Sequence, residues 1–397
     1  MPFDPTPLRA VRFATEHGLK QAGGIRVDLL TDTADEIYER LCSKRTSEFV
    51  SIESSRQVGA APRSATRRSP RRGEAPSNPE EPAADGATVA VLTCLSWIAF
   101  AFDDTVEGPA TMKASEALRA VGAAMSTASS AGLEVDEAAI LQDSNKLAVR
   151  LLPCDVLARV APVGHHVAEF EIELARRLAA TDSPVAALDP RVEPRVYEID
   201  GFAVTLWTYY PSVTAPVSPG DYADVLGRLH AGMRALGVRS PHFTDRVAEA
   251  EELLVSPDRT PRLAEADRDL LVSTLRTLRR AVADRGAVEQ LIHGEPHPGN
   301  LLSTRDGLVF IDLETCCRGP VEFDLAHVPE VVGAGYPDVD QELLDHCRGL
   351  VLAMVAAWRW DADDQFPNRE RAAHEFLEAV RQGPPWAALD AVMPLST

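Results

Sequence analysis

Residues 291–302 read LIHGEPHPGNLL, and this stretch carries the most information about the fold. The short run Glu289–His293, with Leu and Ile at its centre, predicts a short strand that leads into a loop rich in proline and glycine. His293 and His297 have a spacing that suits zinc on a helix, but the prolines between and after them exclude that helix. The loop therefore does not predict a zinc site, and a third ligand is missing as well.

A second informative stretch follows at 309–315, with the sequence VFIDLET, and continues as RGPVEFDLAH at 318–327. The run Leu308–Leu313 predicts another short strand, so Asp312 would lie at its end. The two predicted strands frame the densest set of polar, chemically capable residues in the chain. Helical patterns surround them on both sides, which places this set in a mainly helical region.

Three motifs occur here in order: HG-acid-xHPGN, IDLE and GPxxxDLA. In this order the segment resembles the catalytic loop and metal-binding strand of the aminoglycoside phosphotransferase and choline-kinase group. The resemblance implies an α+β, protein-kinase-like two-lobe fold, with a small β-rich N-lobe and a larger helical C-lobe. It also implies transfer of the γ-phosphate of ATP or GTP to a hydroxyl of a small molecule, with Mg²⁺ as cofactor.

The resemblance assigns roles to residues of the loop and strand. Asp312 would be the metal-binding carboxylate, Asn300 would supply an amide oxygen to the metal, and Glu295 would be the catalytic carboxylate that faces the acceptor hydroxyl. His293 and His297 would support the loop.

Asp324 would complete that support as a buried carboxylate that holds loop amides. Position 295 departs from the family pattern, because relatives normally have Asp where this chain has Glu. The extra methylene moves the carboxylate by about 1 Å, and errors of that size in positioning cost on the order of 100-fold in rate. A catalytically silent nucleotide-binding module is therefore the main alternative to an enzyme.

The small lobe has weaker motifs. The run LQDSNKLAVRLL at 141–152 resembles the two strands and turn that cover the nucleotide, with Ser144 at the turn but no glycine there. DVLARVAP places Arg159 where many relatives have the strand lysine that holds the nucleotide phosphates, and Glu171 falls where its ion-pair partner would be. Arginine keeps the charge of lysine but not its point geometry.

Each of these assignments has a simpler alternative. Arg159 can be an exposed strand residue, and Glu169 and Glu173 compete with Glu171 on the same predicted helix, Val167–Ala180. Trp207, in the predicted last strand of the small lobe, lies either near the adenine or in the core.

Composition and periodicity divide the chain into five parts. One stretch is rich in proline, arginine and serine and has almost no large apolar residues, which predicts disorder. The predicted parts are a helical N-terminal segment (1–50), the disordered stretch (51–86), a helical segment (87–132), the N-lobe (133–212) and the C-lobe with the catalytic loop (213–397).

Charge limits the partners. The 397-residue chain has a formal net charge of −20, which disfavours nucleic acid and anionic membrane surfaces. Acidic residues near the C-terminus predict attraction of a cationic acceptor such as a polyamine or aminoglycoside, although a solvated helix face explains them equally well. These residues are Asp361, Asp363, Asp364, Glu375 and Glu378.

Cysteine usage and hydropathy indicate the compartment. The six cysteines show no CxxC spacing, and the start of the sequence has no long apolar core of a signal peptide. The longest apolar run, Ala87–Phe102, is shorter than the roughly 18–20 residues that cross a bilayer. We therefore expect reduced thiols, no membrane partner and a cytoplasmic location.

A further string, LSWIAFAFDDTVEG, contains Asp103, Asp104 and Glu107, which resemble the aspartate-rich metal motif of terpene cyclases. That motif acts with a second metal-binding helix, and the chain has no NDxxSxxxE-type sequence to supply one. A terpene-cyclase-like N-terminal remnant is a minor alternative for this segment.

Overall fold

The structure, a computed structural model, describes residues 112–143, 146–164, 167–211, 213, 216–364, 366 and 368–393. The predicted segments 1–50 and 51–86, most of the segment 87–132, and the turn residue Ser144 lie outside the described residues. The acidic string at 103–107 lies outside them as well.

The small lobe is built on a five-stranded antiparallel sheet with strand order β1-β2-β3-β5-β4. Buried and partly exposed residues alternate along the second and third strands, as expected for strands whose two faces meet different surroundings. The strands are β1 (Val135–Asp143), β2 (Leu147–Pro153), β3 (Val156–Pro162), β4 (Tyr197–Ile199) and β5 (Phe202–Thr208).

Helix α1 (Ala114–Ser130) covers one face of this sheet. Its buried side chains are mostly alanines, and four of them, Ala117, Ala120, Ala124 and Ala128, are completely buried in one core with the strands. Small side chains let the helix axis come close to the sheet. The boundary that the sequence suggested at residue 132 therefore falls inside a shared hydrophobic core, because the apolar face of the sheet needs this helix as its cover.

Helix α2 (Val167–Ala179) follows β3 and contacts the 3₁₀ turn Leu313–Thr315 of the large lobe. It is amphipathic, with Ile172, Leu174 and Leu178 buried. The helix thus connects the sheet of the small lobe to the 3₁₀ turn that directly follows Asp312.

The large lobe is mainly helical. Its helices are α3 (Pro219–Arg234), α4 (Phe243–Val255), α5 (Glu265–Asp284), α6 (Val321–Leu325), α7 (Glu330–Gly333), α8 (Gln341–Arg359), α9 (Arg369–Gln382) and α10 (Leu389–Val392). A non-helical connection separates α8 from α9, where the left-handed conformation of Asn368 (φ 56°) precedes the first turn of α9.

Two small antiparallel pairs interrupt the helices and carry the site. Strand β6 (Gln290–Ile292) pairs with β9 (Cys317–Gly319), and β7 (Leu301–Thr304) forms a hairpin with β8 (Gly307–Phe310). The sequence predicted β6 and β8 but missed β7 and β9, since strands of three or four residues leave almost no periodic pattern.

None of the helices in the described part of the chain combines the length and the apolar character that crossing a bilayer requires.

Candidate active site

The loop after β6 is fixed to the end of β8 by His293, whose side chain is completely buried. The ring nitrogen Nε2 lies 3.0 Å from the carbonyl oxygen of Ile311 and donates to it, and Nδ1 accepts from the amide of Glu295 at 3.4 Å. The ring also packs against Phe310, with centroids 5.5 Å apart. One imidazole therefore ties the backbone of the loop to the strand that precedes Asp312.

Asp324 holds the same loop through its backbone amides. Its buried carboxylate accepts hydrogen bonds from the amides of His293 (2.8 Å) and Gly294 (2.7 Å) and from Nε2 of His230 (2.9 Å). Burial acts to raise the pKa of Asp324, but the hydrogen bond and charge of His230 and the loop amides lower it overall. Position 294 requires glycine, because φ is 87° and a Cβ would lie 2.1 Å from the carbonyl oxygen of Thr315.

His297 begins the 3₁₀ turn Pro298–Asn300. Its Nδ1 accepts from the amide of Gly299 at 3.1 Å, which caps the turn and sets the direction of Asn300. The side-chain nitrogen Nδ2 of Asn300 donates to the backbone oxygen of Glu295 at 2.9 Å. Since the amide nitrogen makes this bond, Oδ1 is the atom of Asn300 that can serve a metal ion.

Asn300 and Asp312 lie at the same end of the β7–β8 hairpin. The amide of Ile311 donates to the carbonyl oxygen of Asn300 at 3.0 Å, which places the next residue, Asp312, beside it. Asp312 has a left-handed backbone conformation with φ 66°. Burial acts to raise the pKa of its carboxyl group, but Arg159 lowers it overall, so the group is ionised at neutral pH.

These two residues fit Mg²⁺. Magnesium is commonly held by one or two carboxylates together with nucleotide phosphates and water, and a carboxylate and an amide oxygen are the ligands it prefers. In the part of the chain that the structure describes, no group of three or more His, Cys, Asp or Glu side chains gathers as a metal site of its own. A site completed by the ligand's phosphates does not need such a group.

Arg159 on β3 joins the two lobes. Its Nη1 pairs with Oε1 of Glu171 on α2, and its Nη2 lies 2.6 Å from Oδ1 of Asp312. The structure therefore brings these three predicted residues together in one chain of ion pairs. Lys146, just before β2, adds a second cation, with Nζ 3.4 Å from Oε2 of Glu171 and paired also with Glu314.

Among the three acids of α2 that the sequence offered, Glu171 is the one that contacts Arg159 and Lys146. It is buried, with 1% of the residue exposed, whereas Glu169 is exposed. Glu173 pairs instead with Arg176 and Arg177 on the outer side of the helix. Its position on the buried side of α2 therefore distinguishes Glu171 from Glu169 and Glu173.

Glu295 forms an ion pair with Arg246 of α4. Burial acts to raise the pKa of Glu295, but the charge of Arg246 and the neighbouring histidines lower it to about 2. The guanidinium of Arg246 lies over the ring of Trp358, 4.9 Å from the centroid. The carboxylate is therefore ionised and held in place at neutral pH.

Trp207 lies on the same face of β5 as Thr205, and its Nε1 donates to the hydroxyl of Thr205 at 2.8 Å. Only 4% of the residue is exposed, and it belongs to the main hydrophobic core. This burial favours the core alternative over an open adenine-binding surface.

Sequence reasoning missed Lys146, Arg246 and Glu314. Lys146 directly follows the SN dipeptide at 144–145, and Glu314 is the second acid of IDLE. The LQDSNKLAVRLL and IDLE motifs therefore already contained a signal for both residues. Arg246 lies 49 residues before Glu295 in an amphipathic helix, and its sequence gives no comparable signal.

The C-terminal acids are paired with arginines. Asp364 accepts from Nη1 of Arg359 at 2.8 Å, and Asp361 pairs with Arg259, whose Nε also lies 3.7 Å from Asp363. Glu375 and Glu378 lie 3.5 Å from Arg371 and 3.3 Å from Arg381, respectively. This pairing gives no support to a strongly anionic patch that attracts a polycation.

Comparison with known proteins places this fold and site in a family. The model of the phosphotransferase enzyme family matches residues 141–359, which is more than half of the chain. The fold and the site define a small-molecule phosphotransferase with a kinase-like fold. The chain belongs to the phosphotransferase enzyme family, and this confirms the predicted resemblance and fold class.

Several solved structures are similar to this chain. An amicoumacin kinase, hAmiN, in complex with AMP-PNP, Ca²⁺ and Ami has a TM-score of 0.52 and 12% identity, covering 66% of this chain and 92% of its own. Spectinomycin phosphotransferase APH(9)-Ia in complex with ADP and spectinomycin has a TM-score of 0.49 and 14% identity, covering 65% and 97%.

Choline kinase LicA from Streptococcus pneumoniae has a TM-score of 0.46 and 17% identity, covering 64% of this chain and 96% of its own. At these identities the likeness concerns the fold alone. A search of curated proteins finds no match.

Proposed function

We propose that this protein transfers the γ-phosphate of ATP or GTP to a hydroxyl group of a small molecule, with Mg²⁺ as the metal. The observation that carries the proposal is the series of contacts that brings Glu295, Asn300 and Asp312 together with the Arg159–Glu171 pair. Phosphoryl transfer depends mainly on positioning and on electrostatic stabilisation of the phosphates, and these residues supply both.

Each residue has a defined task in this proposal. Asn300 Oδ1 and the carboxylate of Asp312 would hold the metal, which when bound neutralises charge on the nucleotide phosphates. Arg159 and Lys146 supply positive charge for the phosphates from the small lobe. The amicoumacin kinase, a solved structure of similar fold, is a complex with AMP-PNP and Ca²⁺, and this supports a nucleotide with a divalent cation.

Glu295 would orient the acceptor hydroxyl. A carboxylate with a pKa of about 2 is a weak base, so it accepts a hydrogen bond from the hydroxyl more effectively than it removes the proton. A loose transition state for phosphoryl transfer needs little deprotonation of the nucleophile before the bond to phosphorus forms. The low pKa of Glu295 is therefore compatible with catalysis by positioning.

The ion pair between Glu295 and Arg246 favours a second candidate, a silent nucleotide-binding module. Glu replaces the usual Asp at 295, and Arg246 holds its carboxylate. In such a module the nucleotide would bind with Mg²⁺ and no acceptor would be phosphorylated.

Turnover separates the two candidates. The purified full-length chain is incubated with ATP or GTP, Mg²⁺ and a panel of hydroxylated compounds, and nucleoside diphosphate release and phosphorylated products are measured. An enzyme gives acceptor-stimulated release and a phosphate ester. Tight nucleotide binding by calorimetry without any phosphate ester across the panel would favour the silent module.

A further inference from the structure

Two buried polar atoms next to Glu295 have no protein partner. Nη1 of Arg246 is buried and makes no hydrogen bond within the described residues, although Nη2 of the same guanidinium pairs with Glu295. Nε2 of His327 is likewise buried and unpartnered. Buried groups of this kind are normally satisfied by protein or ordered water, so each of these two atoms needs a partner that the described residues do not supply.

The hydrogen-bonding character of each atom can be assigned. Arg246 has donors only, so its Nη1 requires an acceptor oxygen from the ligand. His327 Nδ1 lies 2.9 Å from the carbonyl oxygen of Phe323 and must donate to it, which leaves Nε2 as an acceptor in the neutral ring. Burial lowers the pKa of His327 to about 4, so the ring is neutral near pH 7. The pair thus requires an acceptor for Arg246 and a donor, such as a hydroxyl, for His327.

The surroundings of the Arg246 guanidinium indicate which kind of ligand oxygen atom suits its Nη1. A second guanidinium, Arg359, is neutralised by its own ion pair with Asp364 at 2.8 Å. Arg246 is 18% exposed at its side chain and stacks on Trp358, which fixes the plane of its fork. A fixed guanidinium with an unused N–H edge matches a carboxylate or phosphate group, and such charge-assisted bonds are about twice as strong as neutral ones.

We propose that the acceptor is an anionic compound with at least two hydroxyls, whose carboxylate or phosphate group binds Nη1 of Arg246 while one hydroxyl donates to Glu295 and another donates to Nε2 of His327. This inference rests on the proposed function and names the substrate class of the same site. It differs from the cationic acceptor expected from the C-terminal acids, because each of those acids is paired with an arginine.

Matched acceptors test the charge directly. D-glycerate, glycerol and 3-amino-1,2-propanediol share a three-carbon skeleton and differ in one group, which is anionic, neutral or cationic. Glucuronate, glucose and 6-amino-6-deoxyglucose form a second set, which differs only at C6. Binding of each compound to the full chain is measured by calorimetry with Mg²⁺ and a non-hydrolysable nucleotide, and turnover is measured with ATP and GTP.

The acid of each set should bind about 10- to 100-fold more tightly than its neutral and cationic counterparts, the size expected for a charge-assisted hydrogen bond. Arg246→Met should remove that preference, and Arg246→Lys should keep part of it. Arg276→Met is the matched control, because Arg276 is an exposed arginine of α5 whose side chain is 54% exposed. It should leave the preference unchanged.

Several results would overturn the inference. Amines that bind better than acids, or acid binding that survives in Arg246→Met, would show that Arg246 does not select an anion. A rise in nucleotide KM in Arg246→Met with no change in acid binding would assign Nη1 to the γ-phosphate instead. Arg246-dependent binding of acids without any transfer from ATP or GTP would support the anion site and contradict the proposed function.

Discussion

Arg159 and Asp312 form an ion pair between the two lobes, with Nη2 of the arginine 2.6 Å from Oδ1 of the aspartate. Arg159 lies on β3 of the small lobe, and Asp312 follows β8 of the large lobe. The same guanidinium pairs with Glu171 on α2. One side chain therefore sets the position of the predicted metal-binding strand relative to the sheet that would cover the nucleotide.

Replacement of Asp312 by alanine should abolish Mg²⁺-dependent turnover. Even partners of metal ligands contribute about 10- to 100-fold to metal affinity or activity, so loss of a ligand itself should cost more than about 100-fold. Turnover is measured across a Mg²⁺ titration, and folding is checked by circular dichroism. Asp306→Ala, an exposed carboxylate in the turn of the same hairpin, is the control and should keep full activity. Wild-type rates for Asp312→Ala at saturating Mg²⁺ would show that the assignment of this strand is wrong.

Substitutions at Glu295 test whether its carboxylate orients the acceptor. Glu295→Gln should lower kcat strongly with little change in nucleotide affinity, because the carboxylate acts on the nucleophile and not on the phosphates. Glu295→Asp should also lower kcat, since Pro296 and Pro298 stiffen the loop and the shorter side chain loses Arg246. A higher kcat for Asp would indicate a decayed enzyme. Equal kcat for Glu, Asp and Gln would favour the silent module.

The contribution of Glu295 to the pH dependence of kcat follows from the lowered pKa of its carboxyl group. With a pKa of about 2, this carboxylate stays ionised as the pH falls from 7 to 4. The logarithm of kcat should therefore show no acidic limb from Glu295 in that range. A limb with a midpoint between pH 4 and 6 that disappears in Glu295→Gln would contradict this assignment.

Asp324 should contribute to stability in a pH-dependent way. Its folded-state pKa lies below its unfolded value of about 3.9, so the stabilisation is complete above that value and is lost as the pH falls toward the folded-state pKa. Asp324→Ala leaves the loop amides and His230 without their buried acceptor and should lower the free energy of unfolding by about 3–5 kcal/mol. Urea unfolding at pH 7 measures the loss. A loss below about 1 kcal/mol would mean that other groups hold the loop.

Gly294→Ala should destabilise the catalytic loop more than Gly307→Ala does. Both glycines have a positive φ, of 87° and 123°, so both substitutions carry backbone strain. Only at 294 would the new Cβ also meet a backbone atom, the carbonyl oxygen of Thr315 at 2.1 Å, whereas nothing lies within 4 Å at 307. Thermal unfolding and nucleotide binding of the two variants measure the difference. Equal losses would exclude the close contact as the cause.

Deletion of residues 60–81 should change the melting temperature little, because this proline- and arginine-rich sequence offers few apolar side chains to a core. Differential scanning calorimetry of the deletion variant against the full chain measures the change. A large drop, or loss of soluble protein, would show that the segment is ordered.

The order of motifs allowed the loop 293–300 and the strand before Asp312 to be placed from sequence, because these motifs consist of residues that are close in sequence. The partner of Glu295 could not be predicted in the same way, since Arg246 approaches it through the packing of α4 and not through any local pattern. Glu171 was one of three acids on α2, and only its place on the buried side of the helix separates it from Glu169 and Glu173. Burial depends on what packs against the helix, so it appears only in the fold.

The alanine face of α1 determines how far the chain can be shortened. The family match begins at residue 141, after this helix, and a protein trimmed to that match would lack the helix altogether. The sheet face that α1 covers, which includes Leu147, Val149 and Val160, would then be exposed to water as one continuous apolar patch. Such a fragment would self-associate through that patch, so a shortened protein for crystallisation or ligand screening has to begin before Met112.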